Sequence, residues 1–118
     1  MNCLVLKTQR LLGKKWTILI LQELYHSVEL SFNQLSIKLH IPTNKIISQR
    51  LHELEKNNLI QRKIIHQKPL STQYTLTQKG HDLTKIFNLL KTWGKQYQEV
   101  SPTCLTTNCN QCLWKKEI

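Results

Sequence analysis

Lys45, Gln49, His52 and Lys56 recur at spacings of four, three and four residues, and Ser48 stands among them. On a helix these five side chains share one face. They supply cations, donors and acceptors of the kind that meet base edges and phosphates in a major groove. Ile47, Leu51 and Leu54 fall on the opposite side at four and three residues, which marks an inner stripe. Thr43 and Asn44 open the segment and join the candidate contact set. Polar faces of this composition are common on solvated helices, so the overall charge carries weight. The 118 residues hold 17 Lys and Arg against 7 Asp and Glu, a formal charge of +10. Such a surplus on one small domain favours a polyanion partner, with nucleic acid first.

The second chemical signal is Cys104-x4-Cys109-x2-Cys112. The Cys-x2-Cys arm has the spacing of a structural zinc knuckle. Three thiolates are one short of a tetrahedral site; Cys3 of the same or a partner chain, or a histidine, would complete it. An iron–sulfur cluster, a disulfide under oxidation, and three free thiols are the other readings. The five histidines and seven carboxylates show no HExxH, no GxSxG and no phosphate loop, so no enzyme is expected. No apolar run approaches the ~20 residues of a bilayer span. Met1–Lys7 is too short for the apolar stretch of a signal peptide, and a cytoplasmic protein without membrane contact is expected.

These residues need elements to hold them. Leu11, Leu12, Trp16, Leu19, Ile20 and Leu24 predict a helix over 9–25. Ser31 followed three residues later by Gln34 is a capping box, and Phe32, Leu35 and Leu39 give a short helix over 31–39. Pro42 interrupts it, and Thr43 caps the next helix, 44–56. Two short helices joined by a tight turn make a helix-turn-helix. Residues 59–66 and 72–77 read as a two-stranded hairpin with a basic tip. Leu83, Ile86, Phe87, Leu90, Trp93 and Tyr97 predict a long amphipathic helix over 81–98. The fold expected is mainly α with a small β-hairpin wing, a winged helix-turn-helix spanning 1–100, followed by a Cys-rich tail over 101–118.

Within that frame further residues join the candidate interface. Ser31, Asn33 and Gln34 lie at a helix N-terminus, where backbone N–H groups favour a phosphate. Arg50 lies on the flank of the 44–56 helix and either reaches a phosphate or pairs with a carboxylate inside the domain. Lys63, His66, Lys68 and Gln73 decorate the hairpin. Lys14 and Lys15 are equally consistent with backbone contact and with free surface charge. Trp16, Tyr74 and Phe87 have core spacing, so no stacking platform for single strands is expected.

An ordered set of segments then resembles a known family. They are Cys3 with the 13–21 run Gly-Lys-Lys-Trp-Thr-Ile-Leu-Ile-Leu, Ser31-Phe32-Asn33-Gln34-Leu35, the 48–55 run Ser-Gln-Arg-Leu-His-Glu-Leu-Glu, Leu59-Ile60-Gln61-Arg62, the 74–80 run Tyr-Thr-Leu-Thr-Gln-Lys-Gly, and Trp93-Gly94. Over about residues 3–95 the chain resembles the HxlR-type winged-helix transcriptional regulators, relatives of the MarR group. The resemblance implies sequence-specific binding of double-stranded DNA. It also implies a homodimer built on the N- and C-terminal helices, reading a pseudo-palindromic operator with half-sites about one helical turn apart. Cys3 stands where the family carries an N-terminal cysteine that senses oxidants or electrophiles in several members. Lys7 and Arg10 follow at four and seven residues, so a helix there sets both cations on the thiol's side, which favours a reactive thiolate. The alternative is an inert thiol. The chain departs from the family in Ser31, where Arg is usual, in Ile41-Pro42, where a Gly-Ile pair is usual, near Asn58, where Gly is frequent, and in its cysteine-rich tail. A winged-helix protein-interaction module without DNA is the rival reading.

Overall fold

The computed structural model describes residues 3–67 and 70–99, with 66–67 and 70–71 described as backbone only. Five helices and three strands follow in the order α1 (Leu4–Leu12), α2 (Thr17–Ser27), β1 (Glu29–Ser31), α3 (Phe32–Leu39), α4 (Asn44–Lys56), β2 (Ile60–Gln67), β3 (Leu70–Leu76) and α5 (Gln78–Tyr97). The architecture is mainly helical with a small antiparallel sheet, as expected.

The single helix expected over 9–25 is two. Gly13 ends α1, its N–H donating to the Gln9 carbonyl at 2.7 Å, and Trp16 turns the chain in the left-handed region at φ 80°. That conformation is strained for a bulky residue. Burial holds it there: Trp16 and Thr17 are buried, and Ile20, Leu21 and Leu24 carry the inner face of α2 into the core. The apolar spacing runs through the break without a gap, which is why periodicity reads one helix. Lys15 Nζ lies 5.1 Å from the Trp16 ring centroid, a cation over an aromatic face.

The three capping residues act as their types require. Ser31 Oγ accepts from Gln34 N–H at 3.2 Å while Gln34 Oε1 accepts from Ser31 N–H at 2.8 Å, a reciprocal capping box. Thr43 Oγ1 accepts from Ile46 N–H at 3.3 Å and starts α4. Thr77 Oγ1 accepts from Gly80 N–H at 3.1 Å and starts α5 three residues earlier than periodicity alone suggests.

The hairpin pairs as expected and gains a third strand, giving the order β1-β3-β2. Leu30 of β1 is buried between exposed Glu29 and half-buried Ser31 and faces Tyr74 of β3. Three residues are too few for alternation to register. In the hairpin, Ile64 pairs with Thr72 and His66 with Ser71, so Ile65 is an extra residue on β2. A bulge of this kind bends and twists a strand, here on the stretch that leads to the wing's tip.

The core gathers Ile20, Leu21 and Leu24 of α2, Leu35 and Leu39 of α3, Ile47, Leu51 and Leu54 of α4, Leu59 and Ile60 at the start of β2, Tyr74 of β3 and Phe87 of α5. Trp16, Tyr74 and Phe87 are thus core residues, as their spacing predicts. The tightest junction joins the wing to α5. Thr77 N–H donates to the Leu59 carbonyl at 3.1 Å, Thr77 Oγ1 donates to the Asn58 carbonyl at 2.6 Å, and Gly80 lies directly against the Leu59 carbonyl. A Cβ on Gly80 would overlap that oxygen and stand 3.0 Å from Leu76 Cδ2. Gly80→Ala is therefore expected to destabilise the fold by about 1–3 kcal/mol. Urea unfolding followed by circular dichroism checks this; an unchanged midpoint would show that the backbone yields without cost.

Candidate nucleic-acid interface

Burial of Ile47, Leu51 and Leu54 orients α4. It leaves Asn44, Lys45, Ser48, Gln49, His52 and Lys56 exposed on the other side, so the face expected from spacing is brought together as a face. Asn44, Lys45, Ser48, Gln49 and His52 line one open groove, and the sixth lining residue is Phe32 at the first turn of α3. Periodicity assigns Phe32 to the core stripe of α3. Its ring is half-buried against the core and also forms one wall of the groove, a double role that spacing does not reveal.

The two carboxylates of α4 are held by cations of the domain. Glu53 Oε1 lies 2.9 Å from Lys14 Nζ and 3.8 Å from Arg50 Nη1, and Glu55 Oε1 lies 3.9 Å from Arg62 Nε. Exposed pairs of this kind contribute little stability; their importance lies in position. Glu53 is turned to the junction with Lys14, while Glu55 lines a recess with His52, Lys56 and Arg62 at the end of the outward stripe, where Arg62 offsets its charge.

Arg50 takes the inward one of its two roles. Its Nε–H donates to the Lys15 carbonyl at 2.8 Å beside the Glu53 contact, which fastens α4 to the turn between α1 and α2. Lys14 serves the same junction through Glu53 rather than standing as free surface charge. Neither contact is visible in the sequence, because the partners are 35 and 39 residues apart and no periodic pattern joins them.

The other candidates divide. Asn33 and Gln34 are exposed and Ser31 half-exposed, all in the first turn of α3 or its cap. The capping box occupies the Ser31 hydroxyl and Gln34 Oε1. Thr43 is exposed and uses its hydroxyl as a cap. Lys63 is exposed on β2 and pairs in register with Gln73 of β3. His66 is placed on β2 by its backbone, opposite Ser71, while Lys68 lies outside the described residues. Arg62, absent from the expected set, stands exposed beside Lys63 and is paired with Glu55. Burial pushes the Tyr74 hydroxyl above its ordinary pKa, against the lowering field of Arg62, with Glu55 raising it further. It therefore stays a neutral phenol beneath the wing.

Cys3 is exposed and caps the start of α1, where its carbonyl accepts from Lys7 N–H at 3.0 Å. Cys104, Cys109 and Cys112, with the zinc or iron–sulfur reading attached to them, lie outside the described residues. Among the described residues, no group of three or more His, Cys, Asp or Glu is placed to hold a metal ion. No helix among them is long and apolar enough to cross a membrane.

Known proteins share this fold. A family model described as HxlR-like helix-turn-helix matches residues 11–102. The HTH-type transcriptional regulator YodB of Bacillus subtilis (strain 168) is 32% identical over 93 residues, covering 79% of this chain and 82% of that protein. The structure of its reduced form superposes with a TM-score of 0.71 at 31% identity, covering 84% of this chain and 97% of that one. Its diamide-treated form also matches, with a TM-score of 0.67 at 31% identity and coverage of 85% and 99%. The redox regulator HypR in its oxidised form superposes with a TM-score of 0.68 at 31% identity, covering 83% of this chain and 100% of that one.

Proposed function

The chain belongs to the HxlR-like helix-turn-helix family, and from that premise we propose how it works as a DNA-binding transcriptional regulator. One observation carries the proposal: α4 presents Asn44, Lys45, Ser48, Gln49, His52 and Lys56 on a single outward face, while its carboxylates Glu53 and Glu55 are drawn to Lys14, Arg50 and Arg62. An α-helix fits the major groove, and Gln and Asn pair with adenine edges there as Lys does with guanine. In this scheme α4 reads bases from Lys45, Ser48, Gln49 and His52. Asn33, the backbone at the start of α3, Lys63 and the wing's His66 and Lys68 hold phosphates and set the register. The exposed cations and hydrogen-bonding groups of this face, with Glu55 at its end offset by Arg62, favour DNA over a protein-interaction role without it.

The surface that the described chain leaves uncovered supports a homodimer. Leu4 and Val5 of α1 are 79% and 77% exposed, and Leu89, Leu90, Trp93 and Tyr97 of α5 are 70%, 53%, 54% and 67% exposed. Large apolar side chains left exposed on both terminal helices are surface that a partner would cover. A twofold partner on α1 and α5 would present two copies of α4 to half-sites roughly 34–36 Å apart.

Thiol control is the finer reading. Cys3 is an exposed thiol at the start of α1, an element of the proposed dimer surface. The sequence relatives include a regulator solved after diamide treatment and one described as a redox regulator. Modification of Cys3 would change the packing of α1 and, through the Gly13–Trp16 turn, the seat of α4.

Two experiments test the scheme. Fluorescence anisotropy on duplex DNA should show affinity falling roughly a thousandfold or more between about 50 and 200 mM salt, given on the order of six to ten phosphate contacts per dimer. In the same titration diamide should weaken binding by the chain and leave a Cys3→Ser variant unaffected. A flat salt response removes the DNA reading, and equal loss in both proteins removes Cys3 as the switch. For the dimer, Leu90→Asp places a charge on an exposed apolar patch and should give a folded monomer in sedimentation. Phe87→Asp, at 5% exposure, should instead cost several kcal/mol and unfold the chain. A dimeric Leu90→Asp protein would contradict the α5 interface.

A further inference from the structure

We propose that Phe32 reads the methyl group of a thymine in each half-site, beside the bases contacted from α4; this rests on the reading of α4 as the base-reading helix. Phe32 is the first residue of α3, and the Ser31–Gln34 capping box on either side of it fixes the turn that carries it. Part of the ring is packed against the core, and the rest lines the groove formed with Asn44, Lys45, Ser48, Gln49 and His52. The other five lining side chains are all polar. The ring is thus an apolar surface set among hydrogen-bonding groups, on a rigid seat, at the mouth of the face that meets the major groove.

The chemistry of that groove allows one apolar target. Base edges there present donors and acceptors, and the C5-methyl of thymine is the exception. An aromatic edge desolvates that methyl favourably and offers nothing to the amino group that cytosine carries beside its C5–H. Phe32 therefore adds discrimination that the polar residues of α4 cannot supply, and it does so from a different helix. Removal of about one methyl's worth of apolar burial corresponds to roughly fourfold in affinity per half-site. Two half-sites together then give about fifteenfold.

The test uses a preferred duplex recovered by the full-length chain from a random pool. Each thymine is replaced in turn by uracil, symmetrically in both half-sites, which removes the methyl and leaves base pairing intact. One symmetric replacement should lower affinity by about fifteenfold. At that position, 5-iodouracil sets iodine where the methyl stood, and irradiation should crosslink it to the peptide containing Phe32. Phe32→Ala should bind the thymine and uracil duplexes alike. If that variant fails to fold, the crosslink on the unaltered chain decides. A duplex indifferent to every uracil, or a crosslink that maps to His52 or to the wing, overturns the Phe32 contact and leaves α4 as reader. A pool that yields no preferred duplex overturns the base-reading role of α4 and the Phe32 contact with it.

Discussion

The orientation of α4 is set by three side chains, Ile47, Leu51 and Leu54, which are almost wholly excluded from water. Each contributes about 1.5–3 kcal/mol through its burial. Turning α4 by a single residue would rotate it by about 100° and bring polar groups inward, at a cost of several kcal/mol. The outward face is therefore not free to vary: what remains after the stripe is buried is Asn44, Lys45, Ser48, Gln49, His52 and Lys56. Thr43 fixes where the helix begins. Arg50 fixes its flank, through the Lys15 carbonyl and Glu53.

That flank contact has a second consequence. The turn between α1 and α2 is where Trp16 adopts its left-handed conformation and where Lys14 and Lys15 engage α4. The helix that carries Cys3 and part of the exposed apolar surface is thus one short turn away from the helix with the cationic face. At the other end of the domain, Thr77 and Gly80 join the base of the wing to α5. Both helices with uncovered apolar surface are thereby coupled by short, directional hydrogen bonds to the elements that would meet DNA. A change in how two protomers pack would be felt at α4 and at the wing.

Much of this was legible in the residues themselves. The stripe at 47, 51 and 54, the Ser31–Gln34 box and the Thr43 cap are local patterns, and local patterns survive folding because they are made of neighbours. The hairpin was legible for the same reason. The break at 13–16 was not, since Leu11, Leu12 and Trp16 keep helical spacing across it and only tertiary burial selects two helices. Strand β1 was hidden by its length. Among the site residues, Phe32 reads as plain core from its spacing with Leu35 and Leu39, and its exposure in the groove depends on how α3 and α4 cross. The two roles open to Arg50 differ by a partner 35 residues away, which no window along the chain contains.

The central claim is a division of labour, in which α4 selects sequence and the wing supplies charge. Its most direct measurement is the affinity of Gln49→Ala and Lys63→Ala proteins for a preferred duplex and a set of its single-base variants, across a range of salt. Gln49→Ala should lose roughly 1–3 kcal/mol of discrimination at one base position. Lys63→Ala should weaken every duplex alike, with a salt dependence shallower by about one contact. Identical behaviour of the two proteins across all variants would contradict the account.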